Sequence, residues 1–457
     1  MMNGSNWKAG VAAAAITPAE PMWLAGWAAR REPSTGKAAK LFSKALALED
    51  SGGGRALIIT ADLIAIPREV AQQVSAELQA RCGISRERIL FNASHTHTGP
   101  EVRPDKVPFF EIPAEYAAKI GPYVSGLVEK MVSVGNAALE SLEPVTLTLH
   151  EAKAEFARNR RCPEGPRELQ VPILEVTRAL LAGSDTAAAD SLSPRVGPRT
   201  QEVPASSDQK PLALVFGYAC HNLTLPPSFC QFHGDYAGVA QRCLEEAFPG
   251  ATALFLAGAG ADQDPFPRGA PEWAEQHGRA LGLAVQRSLE IPGRAVSGRL
   301  GAGYRDVLLD FAPVQAVETL ERDLQSEDLP LRRKAAFLLS ALREKRPLPL
   351  SYPCPVQVLH LGNELLLIAL GGEPTVEYAL QFKAEFAGPL VWVAGYCNDM
   401  FGYLPTRRIQ REGGYEGGRA MLWSALPGPF TETVEERVVE AVRRLVVETK
   451  AESQSGS

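Results

Sequence analysis

Residues 56–100 decide the class of this chain: ALIITADLIA at 56–65, IPREVAQQVSAELQARCGISRER at 66–88 and ILFNASHTHTGP at 89–100. The first and third stretches open as short apolar runs without helical spacing, the pattern of strands buried on both faces. Between them, residues 68–80 repeat apolar side chains at helical spacing. Strand, helix and strand in succession make an α/β unit, and the same alternation continues outward through the chain. Further strands are expected at 211–219, 251–257, 365–370 and 390–394, and helices at 115–142, 236–247, 272–289, 314–342, 376–385 and 431–449. Gly362-Asn363 lies between two apolar runs and reads as a hairpin turn, so the sheets are expected to be mixed rather than purely parallel. The expected architecture is α/β, mixed β-sheets with covering helices, in one catalytic domain spanning 1–457. Residues 182–210, rich in Ala, Ser, Asp and Pro and without periodicity, are expected to form a mobile insertion.

The 457 residues carry a formal charge of −6 and no run of lysine or arginine, which excludes a phosphate backbone as the natural partner. Seven cysteines are scattered and never spaced C-x-x-C, so neither a disulfide framework nor a zinc ribbon is indicated and a reducing, cytoplasmic setting is expected. The apolar run at 11–16 is too short and too alanine-rich for a secretory leader, and no stretch approaches a transmembrane span. Oligomeric state is not legible.

Chemistry gathers at strand ends, where α/β proteins place their sites. His95 and His97 follow the run at 89–93 and end in a Gly-Pro turn; in an extended segment residues two apart face the same side, so both imidazoles are expected to face one cavity. His221 closes the run at 211–219, and His233 with Asp235 follows on the next loop, where Asp235 also suits the N-cap of the helix at 236–247. Glu373 follows the apolar run at 365–370, where a buried carboxylate needs a cation or several donors. After the run at 390–394, the residues from Gly395 to Tyr403 supply phenolic and carboxylate groups. Two imidazoles, a carboxylate and a fourth oxygen donor suit zinc with room for a water, whereas calcium takes oxygen ligands alone.

An ordered series of motifs resembles the catalytic domain of neutral ceramidases, the non-lysosomal zinc amidases that cut the N-acyl bond of ceramide. It runs through Ala9-Gly10-Val11, Ile16-Thr17-Pro18, Thr60-Ala61-Asp62-Leu63, His95-Thr96-His97-Thr98-Gly99-Pro100, Asn159-Arg160, the strand ending at His221, the loop from Gly260 to Pro265, Gly372-Glu373, Asn398 to Tyr403 and Tyr415-Glu416. The resemblance implies that His95, His221, Glu373 and Tyr403 hold the zinc, and that His97 and Arg160 line the substrate amide with Tyr415 nearby. It implies metal-activated water as the attacking group, Arg160 or Tyr403 as oxyanion donors and His97 as proton carrier to the leaving amine.

Two departures shift the expected substrate. Asp264 stands where ceramidases carry a serine, so it is expected to orient the water, accept its proton, bind a polar substrate group, or cap its own loop. The chain also ends soon after Tyr415-Glu416, where many ceramidases continue into a β-sandwich, so a more soluble N-acylated amine is expected as readily as a lipid-like one. Two rivals stand beside the amidase: a zinc hydrolase of esters or of other carbonyl or phosphoryl bonds, since the same activated water attacks them, and a non-catalytic binding protein on the same fold.

Overall fold

The computed structural model describes residues 7–179 and 210–454, so the insertion expected at 182–210 lies, apart from Lys210, outside the described residues. Eight long strands form the larger sheet: β1 (Trp7–Ala15), β2 (Phe42–Glu49), β3 (Arg55–Ala61), β4 (Ile89–Ala93), β5 (Glu143–Lys153), β6 (Gln170–Arg178), β7 (Pro211–Tyr218) and β8 (Thr252–Ala257). Their spatial order is β8-β7-β6-β5-β1-β2-β3-β4, with the short strand Arg294–Ala295 added to β5. A second sheet takes β9 (Leu300–Asp310), β10 (Ser351–Leu361), β11 (Leu365–Leu370) and β12 (Leu390–Ala394) in chain order. Both sheets are mixed, as expected: β3 with β4, β7 with β8 and β11 with β12 run parallel, and the other neighbouring long strands antiparallel. The expected hairpin joins β10 to β11, where Gly362 takes a φ of 57° that side-chain-bearing residues resist.

Alternation along the strands explains the layers. On β3, Leu57 and Ile59 face helices α1 (Arg68–Cys82) and α2 (Ala114–Glu140), packing with Val74, Leu78 and Met131; Tyr236 of α3 (Asp235–Ala247) and Leu281 of α4 (Pro271–Leu289) extend the same core. Ile58 points the other way and joins Leu90, Val215 and Leu254 against Leu359, Leu367 and Trp392 of the second sheet. The outer face of that sheet, with Val356, Ile368 and Val393, is covered by Tyr378 and Phe382 of the helix Val376–Glu385 and by Val438 and Leu445 of the helix Val434–Gln454. The result is helix, sheet, sheet, helix. Each fully buried aliphatic side chain between the sheets contributes on the order of 1.5–3 kcal/mol.

Three expectations need correction. The helix expected at 314–342 is two, Val317–Asp323 and Leu329–Arg343. Pro330 enters only the first turn of the second, because proline has no N–H and clashes with a preceding helical turn. The strand expected at 56–65 ends at Ala61, where the Asp62 carboxylate accepts the Phe42 amide at 2.9 Å and the Leu63 amide turns back to the Ala61 carbonyl. Asp235 is the first residue of its helix rather than the N-cap, with a φ of 53° and a carboxylate that accepts the Leu225 and Tyr236 amides.

Candidate metal centre

Three parallel strand pairs direct their C-terminal ends to one place. The loop after β4 carries His95 and His97, that after β7 His221, that after β11 Glu373, and that after β12 the run from Tyr396 to Tyr403. Two buried asparagines stitch the sheet ends together. Asn92 donates to the Gly395 carbonyl at 2.8 Å and accepts the Ala257 amide at 2.9 Å; Asn398 accepts the Phe91 amide at 3.2 Å and donates to Gln357 at 2.8 Å. These bonds fix strand ends from both sheets against each other.

His95 Nδ1 lies 2.8 Å from the Ile64 carbonyl, so that nitrogen carries the proton and Nε2 keeps its lone pair. The ring stacks on Tyr396 with centroids 4.3 Å apart. Both residues have left-handed backbone, φ 61° for His95 and 54° for Tyr396. Such conformations cost about 1–3 kcal/mol each and cluster at functional sites. His95 and His97 do reach one cavity, with rings edge to face at 4.9 Å, but a left-handed turn after the strand brings them there rather than the extended alternation expected.

His95 Nε2 and His221 Nε2 are 3.1 Å apart, and Glu373 Oε2 lies 3.4 Å from the first and 3.5 Å from the second. Donor atoms of His95, His97 and His221 also fall within 4.8 Å of one another. Burial drives His95 down to about 3 and holds His97 and His221 well below the usual imidazole value, so all three rings are neutral, the form that binds a cation. Burial pushes the Glu373 carboxyl up to about 7, against the pull of the Arg160 cation and a hydrogen bond from Tyr403. Glu373 Oε2 and both nitrogens of His97 are buried without a hydrogen-bond partner. His97 is held sterically instead. It packs edge-on against Trp27 at 5.4 Å and over Gly26, where a Cβ would sit 2.5 Å from Nδ1.

The other wall belongs to Arg160. Its Nε donates to Glu416 at 2.7 Å, Nη1 to Asp264 at 3.1 Å and Nη2 to the Tyr403 hydroxyl at 2.8 Å. Burial pulls its pKa down, but Tyr403, Asp264 and Glu416 together hold it well above the ordinary value. Its neighbour Arg161 is likewise paired, with Glu416 and Glu412, so both cations are built inward, whereas Arg158 stays exposed. Asp264 is bridged between Arg160 and Arg268 and, among the described residues, reaches the imidazole side through Arg160 and Tyr403. Tyr415 stands half-exposed at the mouth, edge-on to Tyr403 at 5.4 Å.

His95, His97, His221, Glu373 and Tyr403 line a cavity of about 80 Å³, and Tyr415 joins it to a cleft of about 780 Å³ that holds Arg160, Asp264 and Glu416. A separate groove of about 580 Å³ beside Arg294 and Lys383 holds His150, already 3.1 Å from Glu175. His233, weighed as a further imidazole, serves the scaffold: its carbonyl accepts the Thr96 and Thr98 hydroxyls and its Nδ1 the Asp235 amide. Sequence reading named the run that holds Tyr396 but not its place under His95, and it missed the Ile64 carbonyl behind that ring.

Residues 7–165 match the N-terminal region of the neutral/alkaline non-lysosomal ceramidase family. That span holds His95, His97 and Arg160, while His221, Glu373 and Tyr403 lie beyond it. The fold matches the crystal structure of neutral ceramidase from Pseudomonas aeruginosa with a TM-score of 0.70 and 18% identity, over 99% of this chain and 75% of that one. A structure described as ceramidase complexed with C2 matches with the same score and identity, over 99% of this chain and 76% of that one. No curated protein sequence matches the chain significantly. The resemblance to neutral ceramidases therefore holds in the family match and, separately, in the fold.

Proposed function

We propose that this ceramidase-like chain is a zinc-dependent hydrolase that cleaves an N-acyl (amide) bond. One observation carries the reading: the donor triangle of His95, His221 and Glu373. Zinc bound tetrahedrally at ~2.0–2.1 Å spaces its ligand atoms ~3.3 Å apart, and the three sides here are 3.1, 3.4 and 3.5 Å. The donors are two neutral imidazoles and a carboxylate oxygen that lacks any other partner, a set that suits zinc rather than calcium. Tyr403, paired in register with Glu373 and lining the same cavity, stands as the weak fourth ligand. Zinc in this place supplies a Lewis acid and lowers the pKa of a coordinated water to about 7.

The chain's own groups account for the rest. The Arg160 guanidinium, held by two carboxylates and with N–H groups to spare, is the donor for an oxyanion developing at the substrate carbonyl. His97, neutral and free at both nitrogens, is the group that relays a proton to the leaving amine. Asp264 keeps Arg160 in place. The substrate is an N-acylated amine, lipid-like or more soluble; a ligand called C2 occupies one similar structure. Among the described residues no helix is long and apolar enough to cross a membrane. The seven unpaired cysteines support a cytoplasmic setting.

The test combines metal analysis of protein purified without added metal with amine release across N-acyl substrates of graded length and polarity. One zinc per chain and chelator-sensitive release are expected. Stoichiometric zinc with release from esters alone would replace the amidase by an esterase, and protein active without metal would overturn the mechanism.

A further inference from the structure

Resting on the amidase reading, we propose that the acyl arm of the substrate is short, about six non-hydrogen atoms or fewer, and that the amine arm is the larger, polar one. The space enclosed by the metal ligands and the wall beyond them sets the limit. It amounts to about 80 Å³, and at ~10–15 Å³ for each water-sized occupant this is room for about six, the metal and its water included. Sites for drug-sized ligands run from about 300 Å³ upward, and a dodecanoyl group, with about thirteen non-hydrogen atoms, exceeds this space about twofold.

The limit is built into the fold. Phe110 and Trp423 meet edge to face at 5.9 Å across the cavity, and Met400, Phe401 and Met421 complete its apolar wall. The segment carrying Met421 and Trp423 is pinned by two lysines. Lys106 donates to the Trp423 carbonyl at 3.0 Å, while Lys334 donates to the Ser424 carbonyl at 2.9 Å, to Met421 at 3.2 Å and to Leu426. Lys334 is 4% exposed and forms no ion pair among the described residues, so its charge rests on this cage of carbonyls. A buried amine tolerates such a position only when its donors are satisfied, which ties the segment of Met421 and Trp423 to the helix Leu329–Arg343. The cationic groups at this end are occupied too: Arg103 makes a two-pronged pair with Glu101 at 2.7 and 2.8 Å.

On the other side of Tyr415 the surroundings reverse. The cleft of about 780 Å³ is lined by Arg160, Arg161, Arg268 and Arg408 against Asp264, Glu412 and Glu416. A polar amine arm keeps its hydration and finds hydrogen-bond partners there, whereas an apolar chain would desolvate these ions. The small space with the aromatic and methionine wall therefore takes the acyl group, and the larger charged cleft takes the amine.

The experiment measures kcat/KM for one polar amine acylated with acetyl, butanoyl, hexanoyl, octanoyl and dodecanoyl groups, using the zinc-loaded enzyme. The wild type is expected to prefer chains of about six carbons or fewer and to lose at least about tenfold by dodecanoyl. Trp423→Ala should move the optimum to longer chains with metal content unchanged, and Phe110→Ala serves the same purpose should the tryptophan variant fail to fold. A wild-type profile that is flat or rises to dodecanoyl overturns the inference while leaving the amidase standing. Release from no member, acetyl included, overturns the amidase reading and this inference with it.

Discussion

Arg160 and Glu373 approach the same phenol, Tyr403, and their surroundings differ in one respect. Every nitrogen of the Arg160 guanidinium has a partner within 3.1 Å. Across the cavity, Glu373 Oε2 and both His97 nitrogens have none, although each is buried. A buried polar atom without a partner costs about 1–3 kcal/mol, and a charged one more. Its three partners hold Arg160 in place and leave two of its five N–H groups for a substrate oxygen, whereas the imidazole and carboxylate side is completed by what binds there. Partners within the chain thus mark a group held in position, and buried atoms without one mark ligation or proton transfer.

The largest expected effect tests the unsatisfied side. His221→Ala should remove both the bound zinc and at least about 10³-fold of the activity, because it deletes one corner of the donor triangle. His97→Ala should retain stoichiometric zinc and lower kcat by about 10²–10⁴-fold, the usual range for a lost proton carrier. Metal analysis of both variants separates the roles. Equal metal loss would make His97 a ligand, an arrangement the three-imidazole cluster also permits, and would leave the proton carrier to another group.

On the satisfied side, Arg160→Lys should keep the metal and lower kcat by about 10²–10³-fold, since a point charge replaces a planar donor set that reaches three partners. Asp264→Asn should be milder, about tenfold in kcat with little change in KM, because Glu416 still holds the guanidinium when the second carboxylate is neutralised. Unchanged turnover would reduce Asp264 to a cap of its own loop.

The unsatisfied side was the legible one. His95, His221 and Glu373 each follow a strand buried on both faces, and such strands stand out as unbroken apolar runs whose ends can be located. What covers those faces was not legible, since an apolar run reads the same beneath a helix or a sheet; the packing of Leu367 and Trp392 on Ile58 and Leu90 left no signature. β1, β2, β5, β6 and β9 were missed: Lys8, Lys44, Glu175 and the Arg305-Asp306 pair interrupt four of them, and β5 alternates Val145, Leu147 and Leu149 with threonines instead of running unbroken. The Arg160 partners were visible as motif members but not as partners, because Asp264 lies 104 residues away and Glu416 256. Lys334 carried no signal at all, since its meaning lies in three carbonyls of a distant turn.

The smallest expected effect examines whether satisfaction alone makes a group important. Arg268 also pairs with Asp264, at 3.1 Å, but its side chain is 43% exposed. An exposed pair of this kind contributes about 0.2–1 kcal/mol and is screened by salt. Arg268→Ala should therefore change turnover by no more than about twofold and lower thermal stability slightly, the difference shrinking as ionic strength rises. Kinetics and melting curves across a salt series, run beside Asp264→Asn, make the check. A loss in Arg268→Ala as large as that in Asp264→Asn, expressed in KM and sensitive to salt, would mean that Asp264 and Arg268 together grip the polar arm of the substrate. The amine arm would then be gripped by this pair rather than merely admitted to the cleft, and Arg160 would owe its place to Glu416 and Tyr403 alone.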